Sequence, residues 1–315
     1  MEVTTENITQ EYLLSEVIEG LSKPQKMLPS KYFYDERGSH LFDLICELDE
    51  YYLTRTEIKI LSTNIKEISS FLGNRCLLVE LGSGSSVKIK LLLNRLVDIA
   101  AYVPVDISSD HLIKSNRLLK EKYPGLKIYP LSADYTRWFS LPDIKEEHYS
   151  IDAFYPGSTI GNFKPDEAKE FLSRIAKICG KGSGLLIGID LQKDEDILNR
   201  AYNDSKGITA QFNLNILNHI NNLLGTDFDL SEFRHKAFYN NAEGRIEMHL
   251  ISLSNQIINL NEHRIFISED ETILTEYSYK YSIEGFTDLI KDIYEVEKVW
   301  TDRDRLFSVL FLRAL

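Results

Sequence analysis

The sequence predicts an α/β fold with a doubly wound core of parallel strands and a second, smaller α+β lobe. Apolar runs typical of buried strands alternate with amphipathic helical segments between residues 76 and 191. The first of these runs ends at a glycine-rich turn, as in sheets that bind ligands at the carboxyl ends of their strands. After residue 191 the alternation stops, and segments with the period of antiparallel strands follow a helical stretch.

The core elements follow one another in regular order. CLLVEL is the first predicted strand, SVKIKLLLNRLV the first helix, YVPVD the second strand and SSDHLIKSNRLLKEKYP the second helix. LKIYPLSADY, IDAFYPGSTIGN and GSGLLIGIDL predict further strands, and PDEAKEFLSRIAKIC predicts a helix between the last two. This alternation is typical of a parallel sheet with helices on both faces.

The remaining segments predict the second lobe and the end of the core. EYLLSEVIEGL, SHLFDLICEL and residues 193–224 predict helices, and AFYNNAEGRIEMHLISLS, QIINLNEHRIFIS and ETILTEYSYKYS predict antiparallel strands. IEGFTDLIKDIY predicts a helix, and EKVWTDRDRLFSVLFLRAL predicts a closing hairpin with a buried strand. We therefore assign residues 61–191 and 283–315 to the core, and residues 1–60 and 192–282 to the second lobe.

Composition argues for a small-molecule partner. The chain of 315 residues has a net charge of −12 and no block rich in lysine or arginine. Nucleic acids and anionic membranes bind clustered basic surfaces, so we expect neither as a partner. The opening residues lack the pattern of a secretory signal, and no apolar segment of about 20 residues could span a bilayer. We expect a cytoplasmic monomer.

Metal chemistry has little support in the sequence. Cys46, Cys76 and Cys179 are scattered without the spacing of a thiolate metal site, and they suggest no disulfide framework. The seven histidines include no HExxH pair. We therefore expect no metal and a reducing compartment.

The turn in LLVELGSGSS indicates a ligand site. Gly82 begins a GxG pair at a strand-to-helix turn, where backbone can approach a ligand closely, although Val87 stands where a dinucleotide fingerprint has its third glycine. Asp106 ends the second strand, where a carboxylate can accept ribose hydroxyls. Asp134 and Tyr135 close the third strand, in position for an adenine edge. A glycine turn with capping acids in another α/β enzyme is the alternative.

Glu80 before the glycines, Asp106 and Asp134 together resemble the class I S-adenosylmethionine-dependent methyltransferases. The resemblance implies a Rossmann-like methyltransferase core. That cofactor has no phosphates, so the loop needs no Walker lysine, and its hydroxyls and sulfonium suit carboxylates and carbonyls.

Longer stretches carry a more specific resemblance. KYFYDERGSHLFDLICELDEYYLTRTE, ELGSGSSVK, YVPVD, GSTIGN, RAYNDSKGITAQFNLNIL, GRIEMHL and LTEYSYKY together resemble the histidine Nα-methyltransferases of ergothioneine biosynthesis. The resemblance runs from about residue 28 to the C-terminus and covers both predicted lobes. It implies transfer of methyl groups from S-adenosylmethionine to the α-amino group of L-histidine, successively to the betaine hercynine.

The resemblance also implies roles for individual residues. The cofactor would be bound by Gly82, Lys88, Asp106, Asp134 and Tyr135. The amino acid would be bound by Tyr51, Asn162, Tyr202, Met248, Glu276 and Ser278, with Asn162 and Tyr34 as the catalytic residues. Asn162 would present its amide oxygen to the α-amino group, and Tyr51 and Tyr202 would donate to the carboxylate. Glu276 and Ser278 lie two apart on a predicted strand, so they share a face and could hold the imidazole nitrogens.

Taken singly, several of these residues have simpler explanations. Asn162 could cap the helix that starts near Pro165, and Lys88 could be exposed on its helix. Glu276 could lie on a solvated face, Met248 could belong to the core, and any one of the 17 tyrosines could be a packing residue.

Two alternatives to histidine methylation stay open. One is N-methylation of another amino acid such as tryptophan or tyrosine, because Tyr155 before PGSTIGN and the tyrosines at Tyr277, Tyr279 and Tyr281 could reshape the pocket wall. The other is an amino-acid-binding protein that retains the fold without turnover. Retention of both Glu276 and Met248 argues for histidine, since an unpaired buried carboxylate against an apolar ring is costly.

Overall fold

The computed structural model describes residues 4–5, 10–84, 87–96 and 98–315. It divides into two compact units. The first unit contains Met1–Glu6, Leu53–Gln192 and Lys280–Leu315, and the second contains Asn7–Tyr52 and Lys193–Tyr279.

Strands and helices of the described residues are numbered in chain order. The strands are β1 (Thr4–Thr5), β2 (Lys26–Met27), β3 (Cys76–Leu81), β4 (Ile99–Asp106), β5 (Leu131–Ser132), β6 (Ser150–Tyr155), β7 (Gly184–Asp190), β8 (Phe233–Asn240), β9 (Arg245–Ser252), β10 (Gln256–Leu260), β11 (His263–Ile267), β12 (Thr272–Tyr279), β13 (Tyr294–Thr301) and β14 (Phe307–Ala314). The helices are α1 (Gln10–Leu21), α2 (Glu36–Cys46), α3 (Tyr52–Phe71), α4 (Val87–Leu93), α5 (Ser109–Lys122), α6 (Pro165–Cys179), α7 (Glu195–Tyr202), α8 (Ile208–Leu224) and α9 (Ile283–Ile290). Short 3₁₀ helices cover Ser30–Phe33, Thr159–Asn162 and Leu230–Glu232.

The first unit is built on an eight-stranded sheet with the order β1-β5-β4-β3-β6-β7-β14-β13. The pairs from β1 to β7 are parallel, and β14 runs antiparallel to both β7 and β13. Every residue of β3 and β7 is buried, as expected for central strands covered on both faces. This confirms the doubly wound α/β core and the closing hairpin.

One predicted strand is much shorter than its sequence pattern. LKIYPLSADY forms only β5, with an isolated bridge from Ile128 to Tyr102. Pro130 lies between the bridge and β5, and proline has no N–H to donate to a sheet.

The division into units differs from the predicted boundaries at several places. Residues 1–60 were predicted to belong to the second lobe, whereas the strand Thr4–Thr5 pairs with β5 in the sheet of the first unit. The prediction put residues 53–60 in the second lobe, whereas they belong to the first unit. The reason is that α3 is a continuous helix of 20 residues, and the predicted boundary cut through it. The return to the first unit also comes earlier than predicted, at Lys280.

The second unit contains a four-stranded sheet with the order β2-β12-β9-β8. The pairs β8–β9 and β9–β12 are antiparallel, as their alternation predicted. Helices α7 and α8 pack on β8 and β9, and β10 and β11 form a separate hairpin. A register shift between Leu274 and Glu276 interrupts the pairing of β12 with β9.

A buried ion pair lies where β7 ends in the first unit. The Lys280 ammonium is 2.9 Å from an Asp190 carboxylate oxygen, and both side chains are fully buried. The adjoining residues Leu191 and Tyr281 form an isolated parallel bridge. A buried charge is strongly destabilising when its partner is removed. The ion pair therefore holds the chain in place at both Asp190 and Lys280.

Replacement of Lys280 by methionine is expected to destabilise the protein by about 3–5 kcal/mol, because the Asp190 carboxylate stays buried without its cation. A lowered urea midpoint of unfolding measures this effect. Lys291→Met is the matched control, since Lys291 pairs with Asp288 while their side chains are 64% and 80% exposed. Equal midpoints for the two variants would contradict the prediction.

Candidate active site

The turn after β3 requires glycine. Gly82 has φ of +72° and Gly84 has φ of +40°, in the left-handed region that other residues rarely adopt. A Cβ atom on Gly82 would lie 3.3 Å from the Tyr135 hydroxyl oxygen. The backbone of the turn thus lies close to the Tyr135 ring, so two residues predicted to bind the cofactor are neighbours. Residues 85–86 of the turn lie outside the described residues.

Two carboxylates lie at the ends of neighbouring strands. Asp106 accepts hydrogen bonds from the backbone N–H groups of Gly84 (3.2 Å) and Ser108 (3.0 Å). Asp134 follows β5, is buried, and accepts from the backbone N–H of Thr136 at 3.0 Å. Carboxylates held by backbone groups at strand ends are suited to accept hydroxyl groups from a ligand.

Lys88 is neither exposed nor isolated on its helix. Its ammonium lies 2.6 Å from the carboxylate of Glu57, whose side chain is 1% exposed. The same carboxylate accepts from the backbone N–H of Gly157, with both oxygens at 3.0 Å. Glu57 thereby joins the first helix of the core to the loop that leads to Asn162. Glu57 was not predicted from the sequence, because one glutamate in an amphipathic helix carries no local signal.

Asn162 ends a 3₁₀ helix on a loop with two anchors. Gly157 has φ of +82° and donates to Glu57, and Ser158 has φ of +58°. The Ser158 hydroxyl accepts from the backbone N–H of Asp190 at 2.8 Å. These bonds tie the loop to α3 and to the end of β7. Asn162 itself is half-buried.

Asn162 does not cap the following helix. That helix, α6, begins at Pro165, and its N-cap is Lys164. The Glu167 carboxylate accepts from the Lys164 backbone N–H at 3.0 Å. The capping explanation for Asn162 is therefore wrong.

Glu80 is a second buried carboxylate near the glycine turn. It is 2% exposed, and it accepts a hydrogen bond from the buried Tyr102 hydroxyl. Burial raises the pKa of Glu80 to about 8, against the opposing effects of the Tyr102 hydrogen bond and the Lys88 charge. A carboxyl with this pKa is largely protonated at neutral pH.

In the second unit, aromatic side chains connect three of the predicted tyrosines. The Tyr34 ring lies 5.8 Å from Phe42, Phe42 lies 6.3 Å from Tyr51, and Tyr51 lies 6.2 Å from Tyr202, each edge to face. Burial raises the pKa of Tyr51 well above its usual range, and Tyr202, Cys46 and Glu276 add to the effect. Tyr51 is therefore a neutral hydroxyl that donates hydrogen bonds.

Polar residues of β12 lie beside this cluster. Tyr202 donates from its hydroxyl to Ser278 at 2.8 Å. Glu276 pairs in register with Met248 of β9, which is 1% exposed. The second unit thus contains all the residues that were predicted to bind the amino acid except Asn162, which belongs to the first unit.

Tyr277 and Tyr279 point away from that face of β12. The Arg245 guanidinium lies 3.9 Å from the Tyr277 ring centroid and 5.2 Å from that of Tyr279. Successive strand residues alternate between faces, so these rings lie opposite Glu276 and Ser278. For Tyr277 and Tyr279, the suggestion that they reshape the wall around Glu276 is wrong, whereas for Tyr155 and Tyr281 it stays a prediction.

The described residues contain neither a metal cluster nor a membrane-spanning helix. Among them, no cluster of three or more histidine, cysteine or acidic side chains could hold a metal ion. No helix of these residues combines the length and apolar character that crossing a bilayer requires.

The donor set of the first unit fits S-adenosylmethionine. The glycines of the turn carry no side chain that would block close approach to the backbone, and carboxylates stand at the ends of β4 and β5. Residues 13–314 match the family model of the histidine-specific, S-adenosylmethionine-dependent methyltransferases. The chain belongs to this family.

Curated relatives of these methyltransferases cover most of the chain. A histidine N-alpha-methyltransferase of Mycolicibacterium smegmatis is 40% identical over 87% of this chain and 86% of that protein. The histidine N-alpha-methyltransferase of Mycobacterium tuberculosis is 39% identical over 85% of this chain and 84% of that protein. Ergothioneine biosynthesis protein 1 of Neurospora crassa is 33% identical over 68% of this chain and 26% of that protein.

The raised pKa of Glu80 makes stability depend on pH. The folded protein keeps this proton up to about pH 8, whereas the unfolded chain loses it near 4.5. In this window the folded state binds more protons, so Glu80 contributes a fall in unfolding free energy of about 1.4 kcal/mol per pH unit as pH rises. Glu80→Gln is expected to remove that slope, as measured by urea unfolding at about pH 5.5 and about pH 7.5. A variant whose slope matches the parent would contradict the assignment.

Proposed function

We propose that the protein methylates the α-amino nitrogen of L-histidine with S-adenosylmethionine, three times in succession, to the trimethylated betaine hercynine. This product would enter ergothioneine biosynthesis. The supporting observation is the histidine-specific family match over residues 13–314. The cluster of Glu276, Ser278 and Tyr202 agrees with it, because it offers an imidazole a carboxylate and hydroxyls.

The cofactor would be held by the turn at Gly82, by Lys88, and by Asp106, Asp134 and Tyr135 at the strand ends. When bound, S-adenosylmethionine supplies a methyl group that its sulfonium makes electrophilic. The Asp106 and Asp134 carboxylates would accept the ribose hydroxyls and the adenine edge. No metal has a role in this proposal.

Asn162 would orient the α-amino nitrogen. Displacement at a methyl group needs a neutral amine lone pair in line with the breaking bond, and an amide oxygen can accept from the amine without holding it as ammonium. Arrangement of reactants contributes up to roughly 7–11 kcal/mol, so a strong base is not required. The anchors at Gly157 and Ser158 would keep Asn162 in place during successive transfers.

The tyrosine hydroxyls would bind the substrate carboxylate. Tyr51 stays protonated because its pKa is raised, so it serves as a donor and not as the base that takes the amine proton. Tyr202 already donates to Ser278, and a carboxylate would compete for that hydrogen. Tyr34 would complete the wall through its contact with Phe42.

Glu276 and Ser278 would select the side chain. A carboxylate that accepts from a ring N–H forms a charge-assisted hydrogen bond, and the same carboxylate against an apolar ring would lose solvation without compensation. Met248, in register with Glu276, would supply an adaptable apolar wall. A cytoplasmic monomer that acts on free histidine completes the proposal, and the charge of −12 supports the absence of a nucleic-acid or membrane partner.

Mass spectrometry of the products tests the reaction. Incubation with S-adenosylmethionine and each amino acid separately is expected to yield mono-, di- and trimethylated histidine from histidine alone. Asn162→Ala is expected to lower kcat/KM by about 100-fold or more, since misplaced reactants react slowly. Asn241→Ala, at an exposed turn residue, is the control. Methylation of tryptophan or tyrosine would favour the alternative substrate, and no product would favour a binding protein.

Calorimetric titration of L-histidine tests the role of Glu276. Glu276→Gln is expected to weaken histidine binding by about 10- to 150-fold, the equivalent of one hydrogen bond to a charged group. Binding of S-adenosylmethionine should stay unchanged. Glu262→Gln, which changes an exposed glutamate of the second unit, is the matched control. Equal histidine affinity in Glu276→Gln and the parent would refute the assignment.

A further inference from the structure

β12 contains a bulge immediately before Glu276. In the antiparallel pairing with β9, Ile273 lies opposite Leu250 and Leu274 lies opposite His249. The next residue of β9, Met248, lies opposite Glu276. Thr275 is therefore an extra residue in β12, with no pairing partner of its own in β9.

The bulge decides which face of the sheet carries Glu276. Side chains alternate along a strand, so an extra residue moves all later side chains to the other face. Leu250 and Met248 are two apart on β9 and share a face, which places Ile273 and Glu276 on that face too. In a regular strand Glu276 would share the face of Leu274 and His249.

A buried hydrogen-bond network holds the bulge. The Thr275 hydroxyl lies 2.6 Å from the Asn213 side-chain oxygen and 3.0 Å from the Met248 carbonyl oxygen. Asn213 donates from its amide nitrogen to the His249 carbonyl oxygen at 3.0 Å. Thr275 is 1% exposed and Asn213 is fully buried, so these bonds form without competition from water.

His235 fixes the orientation of Asn213. The Asn213 amide nitrogen is 2.9 Å from His235 Nδ1, and His235 Nε2 is 3.0 Å from the Tyr202 carbonyl oxygen. A neutral ring with its proton on Nε2 donates to that carbonyl and accepts from Asn213. The amide nitrogen of Asn213 then has two acceptors, which leaves its oxygen for Thr275. The network joins α8, β8 and the end of α7 to the bulge.

We propose that Thr275 and Asn213 are positioning residues that set Glu276 on the face of Met248 and thereby determine specificity for an imidazole side chain. The inference rests on the proposed function, because it assigns Glu276 to the substrate. Neither residue contacts the substrate in this account. The bulge at Thr275 would place the Glu276 carboxylate on the face of the sheet where the substrate can reach it.

A double-mutant cycle between Thr275→Val and Glu276→Gln tests the proposal, with L-histidine affinity measured by calorimetry. Thr275→Val alone is expected to weaken histidine binding by about tenfold, the equivalent of one net hydrogen bond. In the Glu276→Gln background it should have almost no further effect, because its action passes through Glu276. Affinity for S-adenosylmethionine should not change. Thr275→Ser, which keeps the hydroxyl, should restore binding.

Thr226→Val is the matched control. Thr226 is a buried threonine of the same unit, and its hydroxyl also lies 2.6 Å from an asparagine oxygen, that of Asn221. Its replacement removes an equivalent hydrogen bond, so it should leave histidine affinity unchanged. Weaker histidine binding in this variant would show a general effect of lost stability and would overturn the proposal.

The outcomes separate this inference from the proposed function. Equal weakening by Thr275→Val in both backgrounds would overturn the inference and leave the role of Glu276 intact. Normal histidine affinity in Glu276→Gln would overturn both. If Thr275→Val does not fold, Thr275→Ala takes its place in the same cycle, and additivity there would count against the inference in the same way.

Discussion

The buried carboxylate of Glu57 is the contact on which the ligand end of the first unit depends. It neutralises the Lys88 ammonium and receives the Gly157 N–H, so a residue of α3 fixes both α4 and the loop of Asn162. Its surroundings are adapted to it. A Cβ atom on Gly188 of β7 would lie 2.3 Å from a Glu57 oxygen, which explains a glycine inside a buried strand. The buried carboxylate of Glu57 thus positions both Lys88, which is assigned to the cofactor, and the loop of Asn162, which is assigned to the amino acid.

The second unit achieves order by a different means. Around its predicted substrate residues the contacts join neutral groups, as in the series from Tyr51 through Tyr202 to Ser278. An ion pair of this unit, Arg245 with Glu247, lies on the other face of the sheet. Hydroxyl and amide groups can exchange partners at little cost, whereas a buried ion pair cannot. Asn162 of the first unit would likewise offer a neutral amide, which suits a substrate whose amine gains bulk and a permanent positive charge during the reaction. A fixed anionic partner for the amine would hold it as ammonium and hinder the first transfer.

Much of this arrangement follows from the sequence, and the exceptions have identifiable causes. The spacing of apolar residues and the positions of the glycines predict the parallel core, because buried strands and amphipathic helices differ in how their apolar residues are spaced. The partner of Lys88 was not predictable, since Glu57 is 31 positions from it and only the fold brings them together. Alternation predicts that Glu276 and Ser278 share a face but not which one, because the bulge at Thr275 has no signature in the sequence.

The bridge between Leu191 and Tyr281 has a consequence for the changes in length that the fold can tolerate. The chain leaves the first unit after Gln192 and returns at Lys280, and the Gln192 N–H donates to the Tyr281 carbonyl at 3.0 Å. The intervening segment is thus an insertion whose ends meet at one point of the core. Closing such an insertion costs little more entropy as it grows, so its length and sequence can change without altering the register of the core sheet. Under the proposed function, this insertion carries Tyr202, Met248, Glu276 and Ser278, so its sequence could change while the residues assigned to the methyl donor stay the same.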